Sequence, residues 1–355
     1  MGRWISLLEA QTAIMKILVT GHQGYIGSLL VPILTSLGHE VKGIDSNLYE
    51  TSLFGLAPAP IPSACKDIRD ITLDDVAGCE AVIHLAGLSN DPLGDLDPQL
   101  TTDINHQATV LLAEMAKNAG AKRFLFASSC SIYGASGSEL INELSPINPV
   151  TPYAHSKYLA EQDLCAMADK DFSPTFFRCA TAHGYSPRIR FDLVVNNLVA
   201  WAYTTGKVMI KSDGSPWRPF VHIEDICRAF IAVMDAPITS VHNQIFNVGE
   251  TAENYQIREI AESVKQTVPN CQVQYSPDGG PDKRCYKVSC DKIFATVPAF
   301  TPVWTVKKSI KNLLQIYTSL GLQKDEFEGP VYNRIDHIKE LIRNKQLDKN
   351  LRRIT

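Results

Sequence analysis

The sequence predicts an α/β fold: a doubly wound parallel sheet with a smaller C-terminal α/β lobe. Three observations predict it. Short β-rich runs alternate with helical patterns from Met15 to about residue 178, a glycine-rich turn opens the first helix, and the rhythm changes beyond Gly184, where Pro, Arg and Asn collect.

The alternation begins with KILVT, a helix from Tyr25 to about Leu37, the strand EVKGID, an acidic turn at Lys66 to Arg69 and the strand EAVIHLA. A helix over Asp97 to Ala119, the run RFLFASS, a helix after Pro152 and the run PTFFRC continue it, and six strands in this order suit a doubly wound sheet. YSPRIRFDLVVNN and PDGGPDKRCYKV mark a second lobe, while RPFVHIEDICRAFIAVM and FNVG read as strand, helix and strand that rejoin the first layer. The expected division is an extension over 1–14, a domain over 15–185 rejoined by 219–249, a lobe over 186–218 and 250–322, and a helical tail over 323–355. That tail, with HIKELIRNKQLDKNLRRIT, reads as a charged amphipathic helix with a solvated face. The repeating pattern starts at Met15, so removal of the preceding residues is expected to leave activity unchanged.

Composition narrows the function classes. A chain of 355 residues buries a large core, and 45% hydrophobic with 20% charged residues is ordinary for a globular protein. A formal charge of -4 leaves no nucleic-acid footprint, so any anionic ligand must be held by local basic groups. No apolar run approaches the roughly 18 to 20 residues of a membrane helix, and MGRWISLLEAQTAI lacks the parts of a secretory signal, so a cytoplasmic protein is expected, with neither membrane nor nucleic acid as partner. Nine cysteines without a CxxC pair read as reduced thiols, with neither a disulfide framework nor a metal site.

Gly21, Gly24 and Gly27 in TGHQGYIGS follow the first strand and open the first helix. Gly21 permits a sharp turn, Gly24 lets backbone approach a pyrophosphate, and Gly27 lets helix pack on sheet; the helix N-terminus adds N–H donors and positive potential. Asp45 ends EVKGID, where a carboxylate accepts bonds from both adenosine-ribose hydroxyls and repels a 2′-phosphate, which favours NAD over NADP. Asp67 and Ile68 in CKDIRD are placed against adenine, or form a surface turn.

Tyr153 and Lys157 in TPYAHSKYLAEQ stand four residues apart and share a helix face. A phenol with a pKa of about 10 is a poor base at pH 7, and lowering it by about three units requires roughly 4 kcal/mol of phenolate stabilisation, which an ammonium and a positively charged nicotinamide supply together. Ser129, at the carboxyl end of RFLFASS, faces the crevice where ligands of such sheets bind and offers a hydroxyl to a substrate oxygen.

TGHQGYIGS, HLAGLS, Asn105, SSCSIYG, PYAHSK and RPFVHIED together resemble the extended short-chain dehydrogenase/reductases, specifically the NAD-dependent epimerase/dehydratase family of UDP-glucose 4-epimerase-like nucleotide-sugar enzymes, over residues 15 to about 320. The resemblance implies a Rossmann sheet, bound NAD, a nucleotide-diphosphate-sugar substrate and a homodimer built on the helices of Asp97 to Ala119 and Tyr153 to Asp169. It implies that Ser129, Tyr153 and Lys157 are catalytic, Tyr153 taking the proton from a sugar hydroxyl and Lys157 also holding the nicotinamide ribose. Tyr25 and Ile26 of the glycine turn, with Leu85, Ala86 and Gly87, would flank the cofactor, and Asn105 would stand beside it as a structural or relay residue. Arg218 matches the family's phosphate-binding arginine, with Arg284 as the second, and Arg188, Arg190, Asn196 and Asn197 lie where the family contacts nucleotide and sugar. Solvent-exposed ion pairs are the alternative for Arg188 and Arg190.

The family's 4,6-dehydratases carry an Asp-Glu pair directly after the catalytic serine or threonine, whereas this chain has Cys130 and Ser131, which disfavours elimination of water. The 3,5-epimerase/reductases place a cysteine two residues before the turn's tyrosine, but Cys130 lies three before Tyr133. Hydride chemistry remains: epimerisation through a transient keto-sugar, or net reduction by a 4-keto-sugar reductase. A non-catalytic dinucleotide-sensing regulator is a third reading, against which the retained Ser129, Tyr153 and Lys157 argue. Thr181 replaces a common substrate-facing Asn, and nearby His183 is expected to bond a sugar hydroxyl or a backbone carbonyl.

Overall fold

The computed structural model describes residues 13–210, 212–275 and 284–354, so nearly all of the expected extension over 1–14 lies outside the described residues. Seven parallel strands form the main sheet. Across it they run Ile245–Val248, Ser173–Cys179, Arg123–Ser129, Ala81–His84, Lys16–Thr20, Glu40–Asp45 and Ser63–Cys65. Ala81–His84 is buried at every position and Lys16–Thr20 at all but the first, because helices cover both faces and a continuous apolar run suits that environment. Helices Gly27–Ser36 and Ile223–Asp235 pack on one face through a cluster including Leu30, Leu34, Phe230 and Phe177. Helices Ala108–Asn118 and Pro152–Ala166 cover the other through Leu112, Ala116, Ala160 and Leu164.

The strand order reverses beside Lys16–Thr20. Successive connections run to one side and then the other, which opens a crevice at the carboxyl ends of these strands. FNVG supplies the seventh strand, next to Ser173–Cys179. The expected strand at RPFVH does not join the large sheet: Trp217–His222 lies in a three-stranded sheet between Thr181–His183 and Asn254–Gln256. The reason is edge occupancy, since Ile245–Val248 already pairs with the outer side of Ser173–Cys179.

Helices Val194–Thr205, Ile257–Thr267 and Val306–Leu320 enclose a separate apolar cluster with Phe191, Val199, Ile260 and Leu313. Cys285–Val288 pairs with Ala135–Ile141, tying this part of the chain to the segment after the SSCSIYG turn.

Two expected helices differ from their sequence patterns. The helix over Asp97 to Ala119 is broken by a π-helical turn at Asp103–Gln107. Among its described residues the tail is helical only at Lys324–Phe327 and Arg334–Arg343, after which Leu347 and Leu351 are buried in the apolar cluster that also holds Leu112 and Ala160. Among the described residues no helix is long and apolar enough to cross a membrane.

Candidate active site

The chain leaves the first strand at Thr20 and turns directly into helix Gly27–Ser36. Gly21 has φ of +72°, and a Cβ there would stand 2.7 Å from the Ala86 nitrogen; one on Gly27 would stand 2.3 Å from the Gly21 carbonyl oxygen. Neither position accepts a side chain. The turn is thereby pressed against Leu85 and Ala86, and it borders a cavity of about 1010 Å³ that spans the crevice.

Gly21, Gly24, Tyr25, Ile26, Gly27, Asp45, Asp67, Ile68, Leu85, Ala86 and Gly87 all line this cavity. The Asp45 carboxylate accepts the Gln23 N–H at 3.0 Å and the Asn47 N–H at 2.9 Å, which fixes it beside the glycine turn. Arg69 holds Asp67 at 2.6 Å. Tyr25 donates its hydroxyl to the Gly184 carbonyl at 2.6 Å, so its ring forms wall while its oxygen is spent on the fold. A bare turn at a helix start beside a fixed carboxylate fits a dinucleotide: N–H donors for the diphosphate and an acceptor for a ribose.

Of the two roles expected for Asn105 the geometry fits the structural one, and it does not flank the cavity with the other cofactor-binding candidates. It is fully buried and does not line the cavity; its amide accepts from Leu88 N–H at 2.7 Å and donates to the Leu88 carbonyl at 3.0 Å and the Ser156 hydroxyl at 3.2 Å. It positions the loop after Ala81–His84, and the π-helical turn is what presents it to that loop.

Ser129, Tyr153 and Lys157 line the same cavity. Thr151 caps helix Pro152–Ala166 by accepting the Ala154 N–H at 3.2 Å, which sets Tyr153 in the first turn and Lys157 one turn on. The Ser129 oxygen accepts the Ser131 N–H at 3.1 Å, and its hydroxyl reaches the Tyr153 phenol. Lys157 donates to the Ala127 carbonyl at 2.8 Å and lies 4.6 Å from the centre of the Phe126 ring. Behind them a buried network joins strand to helix: Ser128 donates to Glu161, Arg178 grips the same carboxylate at 2.7 Å and donates to Tyr133 at 3.0 Å, and Tyr133 donates to Asn247 at 2.8 Å.

Burial pushes the Tyr153 phenol up to about 12, against the opposing Ser129 hydrogen bond. Burial also lowers Lys157 to about 8. At neutral pH these shifts leave the phenol neutral and the ammonium charged, and a positive charge placed in the cavity would lower the phenol.

Thr181, Asn197, Arg218 and Arg284 line the cavity as well. Arg218 stacks 5.2 Å from the centre of the Tyr286 ring and donates to the Arg284 carbonyl, while Arg284 pairs with Asp91, whose other oxygen accepts the Thr151 hydroxyl at 2.5 Å. Asn196 does not belong with them. It is fully buried away from the cavity, accepting the Gly184 N–H at 2.9 Å and donating to the Arg190 carbonyl at 3.0 Å, because the helix starting at Val194 turns it inward and leaves Asn197 facing the crevice. Arg188 and Arg190 are both buried, so neither forms an exposed ion pair. Arg190 lines the cavity and pairs with Asp192 at 2.6 Å; burial raises that carboxyl but the guanidinium overrides it and holds it at about 2. Arg188 stays off the cavity, bonded to the Glu50 carbonyl at 2.6 Å and to Gln23 at 3.3 Å.

His183 does not line the cavity: it shares a hydrogen bond with the Ser309 hydroxyl at 2.9 Å, and burial lowers it to about 3. Cys130 turns its thiol into the core toward the Arg178 carbonyl at 3.0 Å. Sequence reading weighed Ser131 only as a replacement for a dehydratase residue, whereas its buried hydroxyl on the cavity wall has no partner among the described residues; it missed Asp91, Asp192, Arg334 and Leu351, which line the cavity. Ser131 was legible as the residue two beyond Ser129; Arg334 and Leu351 carry no sequence signal, since only folding returns the tail to the crevice.

A parallel sheet with a glycine turn, a carboxylate at the end of the next strand and a Ser-Tyr-Lys group on one cavity is the arrangement of a short-chain dehydrogenase/reductase. Residues 17–249 match the model of the NAD dependent epimerase/dehydratase family, and the chain belongs to that family. It is 30% identical over 281 residues to a UDP-glucose 4-epimerase of Lactobacillus helveticus, covering 71% of this chain and 81% of the relative. The structure of MoeE5 in complex with UDP-glucose and NAD superposes with a TM-score of 0.73 at 25% identity, covering 86% of this chain and 99% of that one. The dTDP-glucose 4,6-dehydratase DesIV of Streptomyces venezuelae, with NAD and TYD bound, shares the fold with a TM-score of 0.75 at 22% identity, over 89% of this chain and all (100%) of that one.

Proposed function

We propose that the protein is an NAD-dependent nucleotide-diphosphate-sugar epimerase that forms a transient keto-sugar and reduces it on the opposite face. The observation that carries this reading is one continuous cavity bordered by the glycine turn and Asp45, by Ser129, Tyr153 and Lys157, and by Arg218 and Arg284. Bound NAD supplies the acceptor and donor of hydride.

The chain's own residues do the rest. Asp45 accepts the adenosine-ribose hydroxyls, and Asp67 and Ile68 border the adenine end. Arg218 and Arg284 hold the substrate diphosphate by charge. Tyr153 takes the proton from the sugar hydroxyl and returns it, Ser129 holds the same oxygen, and Lys157 keeps a positive charge close to the phenol and a donor for the nicotinamide ribose. Thr181 and Asn197, on the cavity wall, are placed to meet the sugar.

The two positions after Ser129, where the family's dehydratases carry their acid and base, argue against elimination of water. Cys130 is turned away and burial raises its thiol well above the ordinary range, while Ser131 has no activating partner. The reading includes a cytoplasmic homodimer, which light scattering on the purified protein tests.

Incubation with UDP-, dTDP-, GDP- and CDP-sugars in deuterated water, followed by NMR, tests the reaction. An epimer free of solvent deuterium is expected. Deuterium in the product would show enolisation and overturn hydride return.

A further inference from the structure

The adenosine end of the cavity has a wall that neither the glycine turn nor the main sheet supplies. After helix Arg334–Arg343 the chain folds back in a small antiparallel loop, with Leu347 bridged to Arg353 and the Ile354 N–H donated to the Gln346 carbonyl at 3.0 Å. The Asp348 carboxylate accepts the N–H groups of Asn350 and Arg352, both at 2.8 Å, which closes the loop tightly enough to put Leu351 at φ +57°. That left-handed backbone is unfavourable for a leucine. It aims the side chain inward, where Leu351 is 3% exposed, shares an apolar cluster with Ile68, and lines the cavity.

The loop is latched to both lips of the groove. On one lip, Arg352 pairs with Asp67 at 3.5 Å and with Asp70, and Arg69 donates to the Asn350 carbonyl at 2.9 Å. On the other, Arg353 donates to the Asn47 carbonyl at 2.8 Å and pairs with Glu50 at 3.3 Å. These lips are the segments that follow Asp45 and that contain Asp67 and Ile68. The latching groups are partly exposed, with Arg352 34% and Arg353 44% accessible, so salt screens them.

We infer that the C-terminal loop over residues 346–354 is a clasp on the adenosine half of NAD, with Leu351 as a cofactor-binding residue and Arg352 and Arg353 as the latches that hold the clasp shut. This rests on the assignment of NAD to the cavity and deepens it. The clasp bridges both lips, so the adenosine leaves only after both arginine latches open, and the cofactor stays on the enzyme between turnovers. Residence of this kind is what an epimerase needs, because the same dinucleotide must accept and return the hydride within one cycle.

The test uses binding alone, with NADH, ADP-ribose and NMN as probes on the full chain, on Leu351→Ala, on Arg352→Ala/Arg353→Ala and on a chain ending at Lys345. Fluorescence titration and stopped-flow displacement are expected to show at least a tenfold rise in the NADH and ADP-ribose dissociation constants in the variants, carried by the off-rate, with NMN unchanged. Raising the salt concentration should speed NADH release from the full chain and not from the truncated one. Hydrogen exchange in 346–354 should slow when ADP-ribose binds. Should the shortened chain fail to fold, the point variants decide the matter. ADP-ribose affinity within twofold of the full chain in the folded variants, or tighter binding on truncation, would overturn the clasp. Weak binding of every probe to the full chain would instead sink the assignment of NAD to the cavity.

Discussion

Lys157 offers a test in which catalysis and stability move in opposite directions. Burial lowers its ammonium from the ordinary 10.5 to about 8, so the folded protein holds that proton less tightly than the unfolded chain does. Between pH 8 and 10.5 the unfolded state binds more protons, and stability conferred on the fold rises with pH across that window; below pH 8 the full cost of burying the charge is present. A displacement of this size corresponds to about 3 kcal/mol. Lys157→Met removes that cost, while leaving the Ala127 carbonyl without its 2.8 Å donor forfeits about 1 to 3 kcal/mol. Where the second term is near its lower bound, the variant is expected to be more stable than the native protein by about 1 to 2 kcal/mol at pH 7, a rise of a few degrees in melting temperature. The advantage should shrink steadily between pH 8 and 10, whatever its starting size. Melting curves on cofactor-free protein from pH 6 to 10 measure it, alongside loss of epimerisation. A melting difference independent of pH would refute the burial argument, because only titration of this ammonium makes the gap close.

Three further outcomes follow from the same geometry. Tyr153→Phe should lower turnover by about 10²- to 10⁴-fold while changing the NADH dissociation constant less than threefold, as measured by NMR turnover and fluorescence titration. Glu161→Gln leaves the buried Arg178 guanidinium without its anion and should lower unfolding free energy by about 3 to 5 kcal/mol in urea, with the active-site loss following the loss of fold. Asn196→Ala should lower stability by about 1 to 3 kcal/mol through orphaned backbone groups, with KM for the sugar nucleotide unaltered, whereas Asn197→Ala, at a residue that lines the cavity and also donates to the Phe191 carbonyl at 2.9 Å, should raise KM as well as lower the melting temperature.

The pairing of acid and base on this enzyme depends on charge that the polypeptide only partly provides. Tyr153 sits at about 12 and Lys157 at about 8 in the protein alone, so at pH 7 the phenol is neutral and the ammonium charged. Under the proposed reading, a positively charged nicotinamide bound beside the phenol would lower it toward the range of a base.

The sequence by itself determined the parts whose physics is local. An apolar run on each buried strand, a turn in which Gly21 and Gly27 leave no room for Cβ, and a helix that spaces Tyr153 and Lys157 by one turn are each written in a few consecutive residues. Only the tertiary structure decided the rest. It turned Asn196 inward and Asn197 outward, moved the RPFVH strand to a second sheet because the first edge was taken, and spent Asn105 and His183 on the scaffold. It also brought Leu351, some 280 residues beyond Ile68, into the same apolar cluster. Hydrophobic burial is non-directional and indifferent to separation along the chain, so which distant residue completes a wall is set by the packing of the whole molecule and leaves no local trace.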